Sequence, residues 1–521
     1  MILTTPSKLE SPQKGLFFKT GLVSFWTFLS RIFGLIRDVV TTSLLGSSLA
    51  HDVFVVVLKI PNVFRRLVAE GAFNQAFVPV LTEYKNLNSF EETKGVINKS
   101  FTFIFLASGI LVGLVFIFTP VFVFIFAPGF FYDESKLVLS QDILRITFPY
   151  LFFISLVALS GSILNTFGKF SVPAATPIFF NLSIILCAIY LRDYFESPVF
   201  ALAYGVLIAG IVQLLFQIKF LLDLKLLPRP DLKIFNKGTK KIFNLMIPGI
   251  LAGGVVQLNI LIDTIFASLL ETGSPTWLYL SDRLIQLPLG IFGIAIATVI
   301  LPKLSSEYVA EKYLEFKDNL KWGIELILIF AIPSSVALFY LGLPIIELLF
   351  VRGNFNESDA IMTAMSLQAF SLGLFAFMLI KVLSASFFAR QDTFTPLIIT
   401  ILSFVMNVFL NYFLAFYLGY GHVGLALGSS IASIVSVVIY YVILSRNSFI
   451  EVTKESLISI IKILSANIIF YFVINFFANN ISAINDQWLS NLVLLFGILF
   501  LIIFYFLILY LLGFRASFFR R

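Results

Sequence analysis

LSGSILNTFGKF, residues 159–170, returns as LSASFFARQDTF, residues 383–394. The displacement is 383 − 159 = 224 residues, and it relates landmarks on both sides of the motif. Pro120 falls on Pro344, Phe126 on Phe350, Gly129 on Gly353 and Phe131 on Phe355. Glu83 and Tyr84 fall on Glu307 and Tyr308, Lys59 falls on Arg283, and Pro79 lies one residue off register from Pro302. One displacement holding over such distances marks an internal duplication.

The composition says what kind of unit is duplicated. Of 521 residues, 59% are hydrophobic and 12% charged, against about 25% charged in a soluble domain. The chain reads as an integral membrane protein. Its net charge, 36 − 29 = +7, reads as basic cytoplasmic loops and not as nucleic-acid binding. One cysteine, Cys187, excludes an intramolecular disulfide, and two distant histidines, His51 and His422, argue against a structural zinc or haem site. Phe is abundant, with 62 copies, which suits lipid-facing and helix-packing surfaces. The N-terminal MILTTPSKLESPQKGLFFK is polar and basic, and the apolar segment after it reads as a retained first span rather than a cleaved signal.

About 20 apolar residues cross a hydrocarbon core of about 30 Å. Fourteen stretches qualify, among them 16–44, 49–80, 99–127, 138–167, 242–270, 276–302 and 320–350. The duplication divides them into two repeats of six spans and a two-span tail: residues 1–222, 223–446 and 447–521. Six is even, so the repeats are parallel, and transporters built this way hold substrate between the halves. The loop over 219–241 carries Lys219, Lys225, Arg229, Lys233, Lys237, Lys240 and Lys241, and the chain ends RASFFRR. Loops of the opposite side are poor in Lys and Arg, so both termini are expected in the cytoplasm.

A charge at the centre of a span costs about 2.5–3.5 kcal/mol and usually faces a bundle interior or a wet cavity. SRIFGLIRD, residues 30–38, puts Arg31, Arg37 and Asp38 in the first span. The second carries Asp52, Lys59, Arg65, Arg66 and Glu70; the seventh carries Asp263 and the eighth Asp282 and Arg283. Asp52, Lys59 and Arg66 are seven apart and would share a helix face, unless Pro61 kinks the helix and brings Arg65 round instead. Arg31 and Arg37 stand about 120° apart on an ideal helix, so a break at Gly34 is expected to aim both inward. The bland alternative makes Arg37–Asp38 and Arg66–Glu70 structural ion pairs. A cavity lined by these arginines and Lys59 would suit a phosphorylated anion. No Walker A motif is present, so transport would draw on an ion gradient, the membrane potential or consumption of product. Asp263 with Asn407 and Asn411, the last two at i,i+4, suits a Na⁺ or proton site or, equally, a helix-packing hydrogen-bond cluster. No nucleophile–base constellation suggests an enzyme.

Four stretches carry a family resemblance: SRIFGLIRD, DVFVVVLKIPNVFRRLVAEGAFNQAFVP, SDRLIQLPLGIFGIAIATVILP and FFARQDTFTP. They resemble the MurJ (MviN) lipid II flippases, and the similarity runs along essentially the whole chain. The resemblance implies an all-α fold of about 14 transmembrane helices in the multidrug/oligosaccharidyl-lipid/polysaccharide exporter superfamily. Two six-helix lobes would surround a central cavity, and two C-terminal helices would form a groove for the lipid tail. It implies lipid II as substrate, flipped from the cytoplasmic to the outer leaflet of the bacterial inner membrane, and membrane lipids and cell-wall synthesis proteins as partners. Arg31, Arg37, Arg65 and Arg283 match the family's cavity cations, with Lys59, Asp38 and Asp52 in the same motifs and Gly34 as hinge. Asp263, Asn407 and Asn411 fall where some relatives bind Na⁺, the candidate coupling ion; no other cofactor is implied. Gln286 departs from the Glu of some relatives. The rival readings are a polysaccharide-lipid flippase, an ion-coupled drug exporter of the same superfamily, and a non-transporting scaffold.

Overall fold

The computed structural model describes residues 12–67, 73–451, 453–481, 484, 486–515 and 518–520. Among these the chain is helical throughout, apart from loops and one isolated bridge between Arg352 and Phe355. The chain groups into two compact units, one of residues up to Leu45 with Leu49–Leu261, the other of Gly46–Ser48 with Ile262–Arg521.

In the first unit α1 (Pro12–Leu45), α2 (Leu49–Phe64), α3 (Phe73–Leu87), α4 (Phe90–Ile117) and α5 (Thr119–Phe126) are followed by α6 (Glu134–Thr147), α7 (Tyr150–Thr166), α8 (Ser171–Tyr190) and α9 (Val199–Asp223). The boundary between the units falls inside α10 (Lys237–Ser268). The second unit continues with α11 (Ser274–Pro288), α12 (Ile294–Val309), α13 (Tyr313–Phe350), α14 (Glu357–Ala389), α15 (Phe394–Asn411) and α16 (Gly421–Arg446), and ends with α17 (Lys454–Ile481) and α18 (Gln487–Leu511).

Sequence punctuation explains the ends. Ser89 and Glu92 form a capping box at the start of α4, and Asn356 and Asp359 form one at α14. Asp133 and Asp486 cap α6 and α18 through their carboxylates. Pro149 parts α6 from α7 where one continuous span was expected. Gly273 precedes α11 at φ 100°, and a Cβ there would lie 2.5 Å from the Trp277 ring, so the turn demands glycine.

Among the described residues eleven helical segments are long and apolar enough to cross a membrane. The other three expected spans coincide with α1, with α2 and α3, and with α10, the helices that carry most of the charges. In the first unit α1 packs on α8, α8 on α9 and α2 on α6; in the second α14 packs on both α13 and α16. The basic loop after α9 is held down: Lys225 sits at φ 58°, the Arg229 and Asp231 backbone N–H groups donate to Asn98 and Thr102 of α4 at 2.8 Å each, and Leu226 is buried.

The α14–α15 turn, half of the repeated motif, is built on Arg390. Its guanidinium lies between the Phe387 and Phe449 rings, 4.4 and 4.2 Å from their centroids. Burial raises the Asp392 carboxyl, yet it titrates below its usual range because the Thr395 N–H and hydroxyl and the Arg390 charge favour the anion.

Helices α17 and α18 attach to α13 through an apolar cluster that includes Ile329, Phe470, Ile474, Tyr505 and Leu509. One polar contact stands inside it. Pro333 of α13 has no N–H to offer the Ile329 carbonyl, and the Tyr505 hydroxyl of α18 donates to that oxygen at 2.9 Å. Asn467 of α17 donates in turn to the Tyr505 oxygen at 3.3 Å. Tyr505→Phe leaves the buried carbonyl unsatisfied and is expected to cost about 1–3 kcal/mol. Thermal unfolding of the purified protein in detergent checks this; an unchanged midpoint would mean the contact contributes nothing.

Candidate functional site

The first-unit charges divide into a tied group and an exposed group. Helix α1 runs unbroken through Gly34, so Arg31 and Arg37 keep their separate faces. Arg31 is exposed. Arg37 turns towards α8: its guanidinium donates to the adjacent Asp38 carboxylate at 2.6 Å and to the Asn181 oxygen at 3.1 Å, and lies 5.7 Å from the Phe180 ring centroid. Asn181 donates back to the Ser30 carbonyl at 3.2 Å. Asp38 is 1% exposed and Arg37 12%; the ion pair lies within α1, and the Asn181 amide joins it to α8 through Arg37 and the Ser30 carbonyl. Asn181 is the member that no charge-based reading of the sequence would single out.

Helix α2 continues through Pro61 and ends at Phe64, after which residues 65–67 wind as a π-turn. Asp52, fully buried, and Lys59, half-buried, share a face of the regular helix. Arg66 falls beyond the irregularity and is exposed, while Arg65 is half-buried. Asn62 positions Arg65, accepting from its Nε at 3.2 Å while donating to the Leu58 carbonyl at 2.8 Å. The expected Arg66–Glu70 pair lies outside the described residues, because Glu70 is not among them.

In the second unit Arg283 is half-buried on α11, between an exposed Asp282 and an exposed Gln286 whose amide donates to Asp282 at 3.4 Å. A π-helical turn, Leu289–Gly293, follows α11 directly. Lys381 of α14 is an exposed cation within a candidate span. It was missed as a site residue, although its charge inside an apolar stretch is the same signal that picks out the others.

Asp263, Asn407 and Asn411 do come together. The Asn411 amide nitrogen donates to an Asp263 carboxylate oxygen at 2.9 Å and to the Asn407 oxygen at 3.0 Å. Asn407 donates to the Ser429 hydroxyl at 3.0 Å. The Asn411 side-chain oxygen is buried without a hydrogen-bond partner and faces Gly428, where any Cβ would collide with it. A second π-helical turn, Tyr412–Tyr417, begins immediately after Asn411. As oriented, the cluster is a hydrogen-bond network with one unsatisfied oxygen. The donor set also fits a small cation: one carboxylate and amide oxygens, with an orphaned buried oxygen that turning the amide would bring towards Asp263. Among the described residues no group of three or more His, Cys, Asp or Glu side chains could hold a metal.

These elements define a multi-pass, all-α membrane protein that carries charged side chains inside its apolar helices. The family model for the lipid II flippase MurJ matches residues 41–504. The probable lipid II flippase MurJ of Vibrio cholerae is 44% identical over 453 residues, covering 84% of this chain and 85% of that one. The lipid II flippase MurJ of Burkholderia cenocepacia is 32% identical over 506 residues, 96% of this chain and 98% of its own. A solved structure of a lipid II flippase MurJ in an inward closed conformation superposes at a TM-score of 0.77 with 30% identity, covering 93% of this chain and 97% of its own. The chain belongs to the lipid II flippase MurJ family. A multidrug-resistance transporter of the MATE family shares the fold, with a TM-score of 0.67 at 15% identity over 81% of this chain and 94% of its own.

Removing one member of the Arg37–Asp38 pair strands a charge. Asp38→Leu and Arg37→Met are each expected to lower stability, Asp38→Leu by about 3–5 kcal/mol, whereas the double substitution recovers most of that loss. Unfolding midpoints of the two singles and the double in detergent measure the coupling; additive losses would mean no pair exists.

Proposed function

We propose that this chain flips lipid II, an undecaprenyl-pyrophosphate-linked peptidoglycan precursor, from the cytoplasmic to the outer leaflet of the bacterial inner membrane by alternating access. The family match over residues 41–504, with relatives named as lipid II flippases over most of their length, carries the reading. Fourteen spans with both termini in the cytoplasm go with it. Arg31, Arg65, Arg283 and Lys59 are the cations assigned to the pyrophosphate, and Lys381 joins them on its charge and exposure. Arg37, Asp38 and Asp52 complete the set. Arg37, neutralised by Asp38, acts by holding α1 to α8 through Asn181, and Gly34 is the proposed hinge at which α1 would bend between states, being continuous helix here.

Two parallel repeats, 1–222 and 223–446, with a C-terminal pair at 447–521, supply the framework. Element bounds support the duplication. Shifting α1 by 224 gives 236–269, against Lys237–Ser268 for α10. Shifting α2 gives 273–288, against Ser274–Pro288 for α11. Shifting the π-turn at 65–67 gives 289–291, inside the turn Leu289–Gly293. Arg65 opens the turn of its repeat, and Arg283, the counterpart of Lys59, lies 289 − 283 = 6 residues before the turn of the other.

The expected result in cells depleted of their own flippase is that wild type restores lipid II on the outer leaflet. Arg283→Ala at equal abundance is expected to lower that exposure about 10- to 100-fold, the worth of a lost charge-assisted contact. Equal restoration by both would remove the arginine from the mechanism, and restoration by neither would favour a polysaccharide-lipid substrate.

Na⁺ is proposed at Asp263, Asn407 and Asn411, where it would supply a charge that couples the ion gradient to the cycle. In purified protein Na⁺ but not K⁺ should then raise the unfolding midpoint, and Asp263→Asn should abolish the difference. Equal midpoints in both salts for wild type would leave the cluster as helix packing.

A further inference from the structure

Helix α4 changes character along one stripe. Asn98, Thr102, Leu106, Ile110 and Leu114 recur every four residues and so share a face. Leu106, Ile110 and Leu114 are exposed apolar side chains of a membrane span, so they face lipid. The two polar positions before them are covered by the loop after α9. Asn98 accepts from the Arg229 N–H and Thr102 from the Asp231 N–H, at 2.8 Å each. The loop therefore crosses α4 one helical turn, about 6 Å, from the first lipid-facing residue of the stripe.

The loop's own residues suit that depth. Leu232, next to the bonded Asp231, is 83% exposed, and Phe235 is 66% exposed. The Phe235 ring rests on Phe243 of α10, which in turn packs on Phe103 of α4, at centroid distances of 5.8 and 4.3 Å. The backbone is irregular, and irregular backbone near hydrocarbon needs its polar groups met. The Lys225 and Leu226 N–H groups bond to the end of α9, that of Lys233 bonds to the Asp231 carboxylate, and Pro228 and Pro230 have none. The stretch over 219–240 carries six exposed cations: Lys219, Lys225, Arg229, Lys233, Lys237 and Lys240. Its two acids are Asp223 and Asp231, and the latter is turned back to Lys99 of α4 at 3.7 Å.

We propose that residues 228–240 seat in the headgroup layer of the adjoining leaflet. Leu232 and Phe235 enter the top of the acyl chains, and Arg229, Lys233, Lys237 and Lys240 hold the phosphates of acidic phospholipids. Membrane affinity scales with buried apolar area plus attraction to anionic lipid, and this segment offers both at one depth. An acidic protein surface would satisfy the cations but not two apolar side chains held where lipid begins. Helix α10 starts at Lys237, so the seat sets where that helix enters the bilayer. Only the membrane-spanning fold is required, so the seat stands or falls apart from the flippase reading.

The test uses the full-length protein in nanodiscs of phosphatidylglycerol and phosphatidylcholine. The lone native thiol, Cys187, is buried, so a nitrobenzoxadiazole label goes to an introduced cysteine. The label on Leu232→Cys is expected to be quenched by lipid brominated near the top of its acyl chains. The label on Glu91→Cys, 102 − 91 = 11 residues and about 16 Å from Thr102 towards the start of α4, is expected to escape. Brominated phosphatidylglycerol is expected to show a relative association constant at least ~5-fold above that of brominated phosphatidylcholine at Leu232, the worth of one cation near the surface. Arg229→Gln, Lys233→Gln, Lys237→Gln and Lys240→Gln combined, all at exposed positions, are expected to bring that ratio near one. Absence of quenching at Leu232 would overturn the seat and leave the flippase reading standing. Shielding of that unquenched label from aqueous iodide would assign the surface to a second copy of the chain, overturning the seat as well. Equal association of the two lipids with wild type, or a preference that survives the four substitutions, would overturn the acidic-lipid assignment.

Discussion

A helix in hydrocarbon has no water to satisfy its backbone, so each interruption must be answered by another part of the protein. The Tyr505 bond to the Ile329 carbonyl is the plainest instance. Pro333 removes one donor from α13, and a hydroxyl from α18 replaces it. The contact therefore does two things: it satisfies an orphaned acceptor, and it fixes which face of α18 meets α13. Apolar packing alone would specify that face weakly, because lipid chains compete on nearly equal terms for an apolar surface. Serine and threonine follow the same economy. Ser108, Ser155, Thr119 and Thr147 all return their hydroxyls to a carbonyl one turn back. They line helix contacts without leaving a polar atom to the membrane.

The same constraint governs the charges. Arg37 reaches the interface of α1 and α8 only because Asp38 neutralises it and Asn181 takes another of its donors. Arg65, in contrast, stands in a π-turn, and Arg283 lies on the helix that leads into another, 289 − 283 = 6 residues ahead of it. A π-turn inserts one residue into the helical winding, which frees backbone groups locally and rotates everything beyond it by about 100°. Such irregular backbone is tolerated within a membrane where it is buried in protein or lines a wet cavity. That a cation sits in such a turn is consistent on both counts, since each alone would need a polar surrounding.

This rotation also explains where sequence reasoning stopped. The seven-residue spacing of Asp52 and Lys59 was a sound guide to a shared face, because α2 is regular between them. Extending the rule to Arg66 crosses the change of winding at residue 65, where Arg66 is exposed and Arg65, the expected alternative, is half-buried. Pro61 was legible as a disturbance, but the helix passes through it and breaks four residues later. At Gly34 the composition suggested a break, and α1 is continuous helix there. The capped helix starts and the membrane character were open to inspection in the sequence, since they depend on local residues and on composition. Asn181, Asn62 and Tyr505 were not. Each matters through a partner on another turn or another helix, and nothing in its own neighbourhood announces that partner.

The Asp263 cluster brings these strands together. A carboxylate in a span needs partners, and one of them here is the Asn411 amide. Asn411 donates both of its protons, to Asp263 and to Asn407, and is left with a buried oxygen that accepts none. Reversing the amide would satisfy neither end, since it would place oxygen against oxygen. Two events would resolve the conflict: a proton on Asp263, or a cation among the oxygens. Either adds one positive charge at the helix junction where Tyr412–Tyr417 departs from regular winding. The orphaned oxygen is thus the mark of a network that is complete in hydrogen bonds on one side only, and it is the feature on which the proposed cation site rests.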